Sequence, residues 1–135
     1  MSNAISSFGA ELRRGATPIA EVRDITGPTL SASTAEVTNH LSPGRYREFI
    51  STVLDGGEVT FDIGYVPTDS THGPAAGGLL DDYENGNIVT YNLVFPDSTT
   101  WTFTAIVTGF ETQVVVDGDL KASVTFKVTG QPTLA

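Results

Sequence analysis

EVTFDIGYV, residues 58–66, alternates without a break: Val59, Phe61, Ile63 and Tyr65 fall on one side, Glu58, Thr60, Asp62 and Gly64 on the other. Successive side chains of an extended chain point to opposite faces, so this spelling gives one apolar and one polar face, the mark of a half-buried β-strand. Residues 88–95 repeat it, with Val89, Tyr91, Leu93 and Phe95 together. Residues 101–108 set Trp101, Phe103, Ala105 and Val107 opposite Thr102, Thr104, Ile106 and Thr108. Residues 122–129 set Ala122, Val124, Phe126 and Val128 opposite Ser123, Thr125, Lys127 and Thr129. β-Branched and aromatic residues crowd all four segments, as half-covered pleated surfaces favour. Residues 19–25, 35–39 and 110–116 are weaker strand candidates.

Turn chemistry separates these runs. Asp55-Gly56-Gly57 precedes the first, Pro96-Asp97-Ser98 joins the next two, and Asp117-Gly118 predicts a two-residue hairpin loop with positive φ. Residues 74–85 invite a helix, with Leu79, Leu80 and Tyr83 at helical spacing and Gly86 as its stop. Residues 45–54 read as a helical turn or an irregular loop. The sum predicts an all-β domain with one helix, a β-sandwich or partly closed barrel spanning residues 17–135. Residues 1–16 hold Gly9 and Gly15 and no sustained period, which predicts a flexible N-terminal arm. Its apolar residues Ile5, Phe8 and Leu12 would then find their groove on a neighbouring subunit.

The 135-residue chain has no cysteine, which removes disulfides and thiolate metal sites. No apolar run approaches a bilayer-spanning length, and the N-terminus lacks the apolar stretch of a signal peptide, so synthesis in the cytoplasm is expected, with no membrane partner. The net charge of −9 is unevenly laid out. Residues 1–50 balance five acids against five arginines, whereas residues 51–120 carry eleven acids and neither lysine nor arginine. Affinity for phosphates needs clustered bases, so this layout argues against nucleic-acid binding.

Candidate chemistry is sparse. His40 and His72 are the two imidazoles, and neither has a second ligand at metal spacing. Asp81, Asp82 and Glu84 diverge on a helix and make no acid–base pair. Asp117-Gly118-Asp119 lacks the remaining ligands of a calcium loop, and HGPAAGG (72–78) lacks the lysine of a phosphate loop. The sequence therefore predicts no enzyme, no metal and no cofactor. One competing reading is a monomeric β-sandwich that binds a sugar or protein on Trp101 and Tyr91, but both fall on the apolar side of their strands. SPGRYREFISTVLD (42–55) stands apart, because Arg45, Tyr46, Arg47, Glu48 and Phe49 bring together residue types favoured at protein contacts.

The order of these segments is similar to the siphophage (lambda-like) major tail tube protein family. The similarity is carried by VRDITGPTL (22–30), EVTNHLSPGRYREFISTVLDGGEVTFDIGYVP (36–67), the acidic stretch 79–86, NLVFPDSTTWTFTAIVTGF (92–110) and DLKASVTFKVTGQP (119–132). Asn39-His40-Leu41-Ser42 departs from the pattern, where an acid is expected before the serine. The resemblance implies a virion protein whose hexameric rings stack on a tape measure protein, with strands of six subunits joining in one barrel around a channel that DNA crosses without specific binding. Tail terminator and tail tip proteins would be its other partners. Under that reading the polar strand faces supply the candidate lumen residues Glu58, Thr60, Asp62, Thr102, Thr104, Ser123, Thr125 and Lys127. The candidate inter-subunit or inter-ring contacts are Ile5, Phe8 and Leu12 of the arm and Arg45, Tyr46, Arg47, Glu48 and Phe49.

Overall fold

The structure, a computed structural model, describes residues 4–135. Its strands are β1 (Glu11–Arg14), β2 (Thr17–Pro18), β3 (Val22–Thr26), β4 (Ser31–Glu36), β5 (Phe49–Asp55), β6 (Glu58–Gly64), β7 (Val89–Val94), β8 (Thr100–Gln113) and β9 (Lys121–Leu134), with one helix, α1 (Leu79–Asn85), between β6 and β7. Seven strands form an antiparallel sheet in the order β2-β1-β7-β8-β9-β6-β3, and β4 and β5 form a separate two-stranded hairpin.

All four strong alternating segments become strands, and their apolar sides make the core. Val59, Phe61, Ile63, Tyr91, Leu93, Phe103, Ala105, Val107, Ala122, Val124, Phe126 and Val128 are buried with Leu12, Ile19 and Leu79. Tyr91 on β7 and Phe126 on β9 lie two strands apart, a separation of about 10 Å in a flat sheet. Their rings nevertheless stack with centroids 4.2 Å apart. The sheet is therefore curled, concave on its apolar side, with small Ala105 on the strand between them. Phe61 closes on Phe126 from β6, edge to face at 5.0 Å. Bulges in the β8–β9 ladder, between Thr102 and Thr104 and between Val107 and Gly109, add to the bend.

Several local expectations are corrected. Residues 45–54 are only in their first part the turn and irregular stretch expected: a 3-10 turn (Pro43–Arg45) and irregular residues 46–48 lead into strand β5, whose Phe49, Ile50 and Val53 suit a ladder with β4. The helix begins at Leu79 rather than at 74, because Gly77 has a φ of +94° and Gly78 is extended against the Gly73 carbonyl. Gly86, left-handed with φ +61°, stops it as expected. The two-residue turn at Asp117-Gly118 is absent, since β8 ends at Gln113 and β9 starts at Lys121, leaving a broad connection over residues 114–120. The weak strands shift to Val22–Thr26 and Ser31–Glu36.

The N-terminal boundary moves too. Glu11–Arg14 pairs in register with β7, Leu12 opposite Leu93, and Leu12 is buried in its own subunit's core. Leu12 is therefore not an arm contact. Residues 4–10 carry no strand or helix, and Phe8 is 94 % exposed.

Candidate assembly surfaces

The eight polar residues expected on a channel wall share one face. In the β6–β9 ladder Glu58 faces Lys127, Thr60 faces Thr125 and Asp62 faces Ser123. On β8, Thr104 pairs Thr90 on one side and Thr129 on the other, and Thr102 pairs Asn92 and Thr133. Short hydroxyls dominate, and two of the charges are held. The Ser123 hydroxyl donates to Asp62 at 2.7 Å, and the Lys127 ammonium reaches Asp55 at 3.1 Å. Asp55 also accepts from the Gly57 amide at 2.7 Å. That amide and then Lys127 hold its carboxyl below the usual carboxylate range.

The β4–β5 hairpin is a different kind of surface. Every residue of β5 is exposed, and of β4 only Ala35 is half-covered. Leu30, Phe49, Ile50, Val53 and Leu54 are among its large uncovered apolar side chains. Two strands alone are marginal in water, and an apolar hairpin without a covering layer needs a partner. At its tip lie Leu41, 91 % exposed, and Tyr46, 78 % exposed, with Arg45, Arg47 and Glu48 around them. Glu48 is tied back by the Ser42 hydroxyl, and Arg47 sits 3.8 Å from Glu36. A groove of about 800 Å³ separates the hairpin root from the main sheet, lined by Leu30, Val53, Leu54, Trp101, Val128 and Pro132 among others.

Backbone edges complete the picture. β7 pairs β8 only as far as Val89 opposite Ala105, so residues 106–113 have no strand partner on that side among the described residues. β6 pairs β9 only to Lys127, and after the Val128 amide meets the Gly57 carbonyl, residues 129–134 have no strand partner on that side among the described residues. The outermost strands, by contrast, are blunted: β2 is two residues long and contains Pro18, and β3 carries an irregularity between Val22 and Ile25.

Two residues that read as inconspicuous hold the scaffold. Asp82 is wholly buried and accepts Arg14 Nε and Nη2 at 2.9 Å each, the Tyr91 hydroxyl at 2.8 Å and Asn87 Nδ2 at 3.2 Å. Burial alone would raise its pKa, but the hydrogen bonds from Arg14, Tyr91 and Asn87 outweigh it, and the carboxyl sits below its usual range. Burial and that carboxylate push the Tyr91 hydroxyl up. His72 is also fully buried: its Nδ1 accepts from the Val66 amide at 3.1 Å, and its Nε2 faces the Ala20 carbonyl at 2.6 Å. This pairing assigns the neutral tautomer with the proton on Nε2. Tyr91, buried and bonded to Asp82, cannot serve as an exposed ligand platform.

No curated protein matches the sequence. Among solved structures, the fold is similar to a chain in the virion of a native gene transfer agent particle, at 14% identity over 98% of this chain and 99% of that one, with a TM-score of 0.78. It is also similar to a chain in the tail of an empty gene transfer agent particle refined with C6 symmetry, at 15% identity, 98% and 99% coverage and a TM-score of 0.74. A third likeness is to a chain of the sheath–tube complex of an extracellular contractile injection system, at 13% identity, 98% and 92% coverage and a TM-score of 0.75. These are likenesses of fold. The family profile of the lambda phage tail tube protein matches residues 7–135, nearly the whole length, and the chain belongs to that family.

Proposed function

We propose that this chain is the building block of a phage tail tube, a structural conduit for the genome with no catalytic step. The observation that carries the reading is the unpartnered β4–β5 hairpin beside a sheet with two open half-edges. A folded monomer has no use for either, whereas ring closure covers both. The six-fold symmetry of the gene transfer agent tail supports six subunits per ring. In the ring, the hairpin of one subunit spans to the next, between its own unpaired 129–134 segment and the neighbour's unpaired 106–113 segment. The polar face bearing Glu58, Thr60, Asp62, Thr102, Thr104, Ser123, Thr125 and Lys127 then lines the bore. A tape measure protein would set the length of the stack, and terminator and tip proteins would close its ends. DNA would pass through without specific contact.

Purified subunit, concentrated and viewed by electron microscopy, is expected to form hollow tubes of uniform diameter with six-fold end views. A chain that stays monomeric at millimolar concentration, with or without a preformed tail tip to nucleate it, would overturn the reading.

A further inference from the structure

Three side chains carrying a carboxyl or an amide one carbon from the backbone are followed by glycine: Asp55-Gly56, Asn85-Gly86 and Asp117-Gly118. In such a pair the next backbone nitrogen can attack the side-chain carbonyl carbon, and a glycine, lacking Cβ, leaves the approach open. Spelling alone makes Asn85-Gly86 the first to react, since an amide gives up ammonia more readily than a carboxyl gives up water. The fold reverses that order.

Asn85 is the last residue of α1, and three contacts hold it. The Gly86 amide donates to the Asp82 carbonyl, and Asn85 Nδ2 donates to the Asp81 carbonyl at 3.2 Å and to Asp81 Oδ1 at 2.7 Å. Three contacts of ordinary strength lost together slow a reaction by about a hundredfold, more than the better leaving group gains. Asp55 is held as well. Its Oδ1 accepts from the Gly57 amide at 2.7 Å and from the Lys127 ammonium at 3.1 Å, which keeps the carboxyl ionised and directed to Gly57 rather than to the Gly56 nitrogen. An ionised carboxyl offers no leaving group for this attack. Asp117 has none of these restraints. It is exposed in the connection 114–120, and among the described residues it accepts no hydrogen bond and forms no ion pair. A Cβ on Gly118 would meet nothing nearer than Val115 at 3.8 Å, so the pair has room to rotate.

We infer that Asp117-Gly118 is a site of spontaneous backbone isomerisation, ahead of Asn85-Gly86 and Asp55-Gly56. The Gly118 nitrogen attacks Cγ of the protonated Asp117 carboxyl. An N–Cγ bond forms, the Cγ–OH bond breaks, and the amide proton leaves with that hydroxyl as water. One water then opens the five-membered succinimide. Entry at Cγ restores aspartate, whereas entry at the Asp117 carbonyl carbon leaves the main chain running through Cγ, an isoaspartate with a free α-carboxylate. Composition is unchanged, and no oxidant, metal or enzyme takes part. The product has one more main-chain carbon, which the connection 114–120 absorbs without disturbing Gln113 opposite Lys121. Its exposed α-carboxylate is the group that isoaspartate-specific methyltransferases esterify with S-adenosylmethionine.

Ageing the dilute folded chain for weeks in mildly acid buffer, then mapping its peptides with electron-transfer fragmentation, tests this. Isoaspartate at Asp117 is expected to exceed that at Asp55 by about tenfold or more, the rate that two ordinary contacts withhold. Residue 85 is expected to remain asparagine, with no gain in mass. In urea the order should revert to that of the spelling, with Asn85 first. Methyl transfer from S-adenosylmethionine by an isoaspartyl methyltransferase should rise as the wild-type chain ages and stay near the fresh level in aged Asp117→Glu. That variant keeps the charge but needs a slower six-membered ring closure. Both the aged chain and Asp117→Glu should melt close to the fresh wild type, because the position is exposed. Absence of isoaspartate at Asp117, deamidation of Asn85 running ahead of it in the folded chain, or the same order in urea as in buffer overturns the assignment.

Discussion

Asp82 gathers four hydrogen-bond donors around a carboxylate with no access to water. Arg14 supplies two of them in a bidentate pair, which ties helix α1 to strand β1 across 68 residues of sequence. Nothing in the spelling Asp81-Asp82 separates the two acids: Asp81 is half-buried beside Asn85, and Asp82 is wholly buried because of a partner on a distant strand. The same holds for His72, whose ring replaces a backbone ladder between Ala20 and Val66. Such roles depend on contacts that local pattern does not encode. Because the folded state favours ionised Asp82, its stabilisation is complete above the ordinary carboxylate value near pH 4 and is lost as pH falls through the lower folded value. Asp82→Asn is expected to cost roughly 3 kcal/mol at pH 7, with the gap to wild type narrowing below about pH 4. Tyr91→Phe should cost about 1–2 kcal/mol. Urea unfolding of the three proteins across pH 2–7 checks both values and the direction of the trend.

At the scale of elements, period two carried most of the information. Where a strand is covered on one side, alternation is forced, and β6 to β9 were legible for that reason. The β4–β5 hairpin lacks that covering within its own subunit, so burial imposed no period on 49–55, and the segment could not be told from a helical turn. The joint between hairpin and sheet is more exacting. Gly57 has a φ of +72°, and a Cβ there would lie 1.9 Å from the Thr29 carbonyl oxygen. Gly86 has a φ of +61° with open space around it. Gly57→Ala is therefore expected to destabilise by about 3 kcal/mol or more, combining left-handed strain with a backbone clash, whereas Gly86→Ala should cost about 1 kcal/mol. Equilibrium denaturation of the two variants side by side measures the difference. Similar losses would show that the joint is soft.

For the whole molecule, charge layout was readable in advance and contact geometry was not. Eleven acids and neither lysine nor arginine across residues 51–120 predict that the subunit and its assemblies fail to retain duplex DNA at physiological salt. Salt-dependent retardation in a gel would contradict this. Glu58→Lys with Asp62→Lys places two cations per subunit on the polar face, and phage carrying it should eject DNA more slowly. Unchanged ejection kinetics would assign that face to the outside of the tube. The β8–β9 ribbon, paired over nearly all of its 14-residue strands, also has a mechanical consequence. Force applied along it acts parallel to the strands. The cross-strand bonds then resist in shear, many sharing the strain at once, instead of opening one after another like a zip. A ribbon loaded this way is stiff along its own length at no cost in added chain.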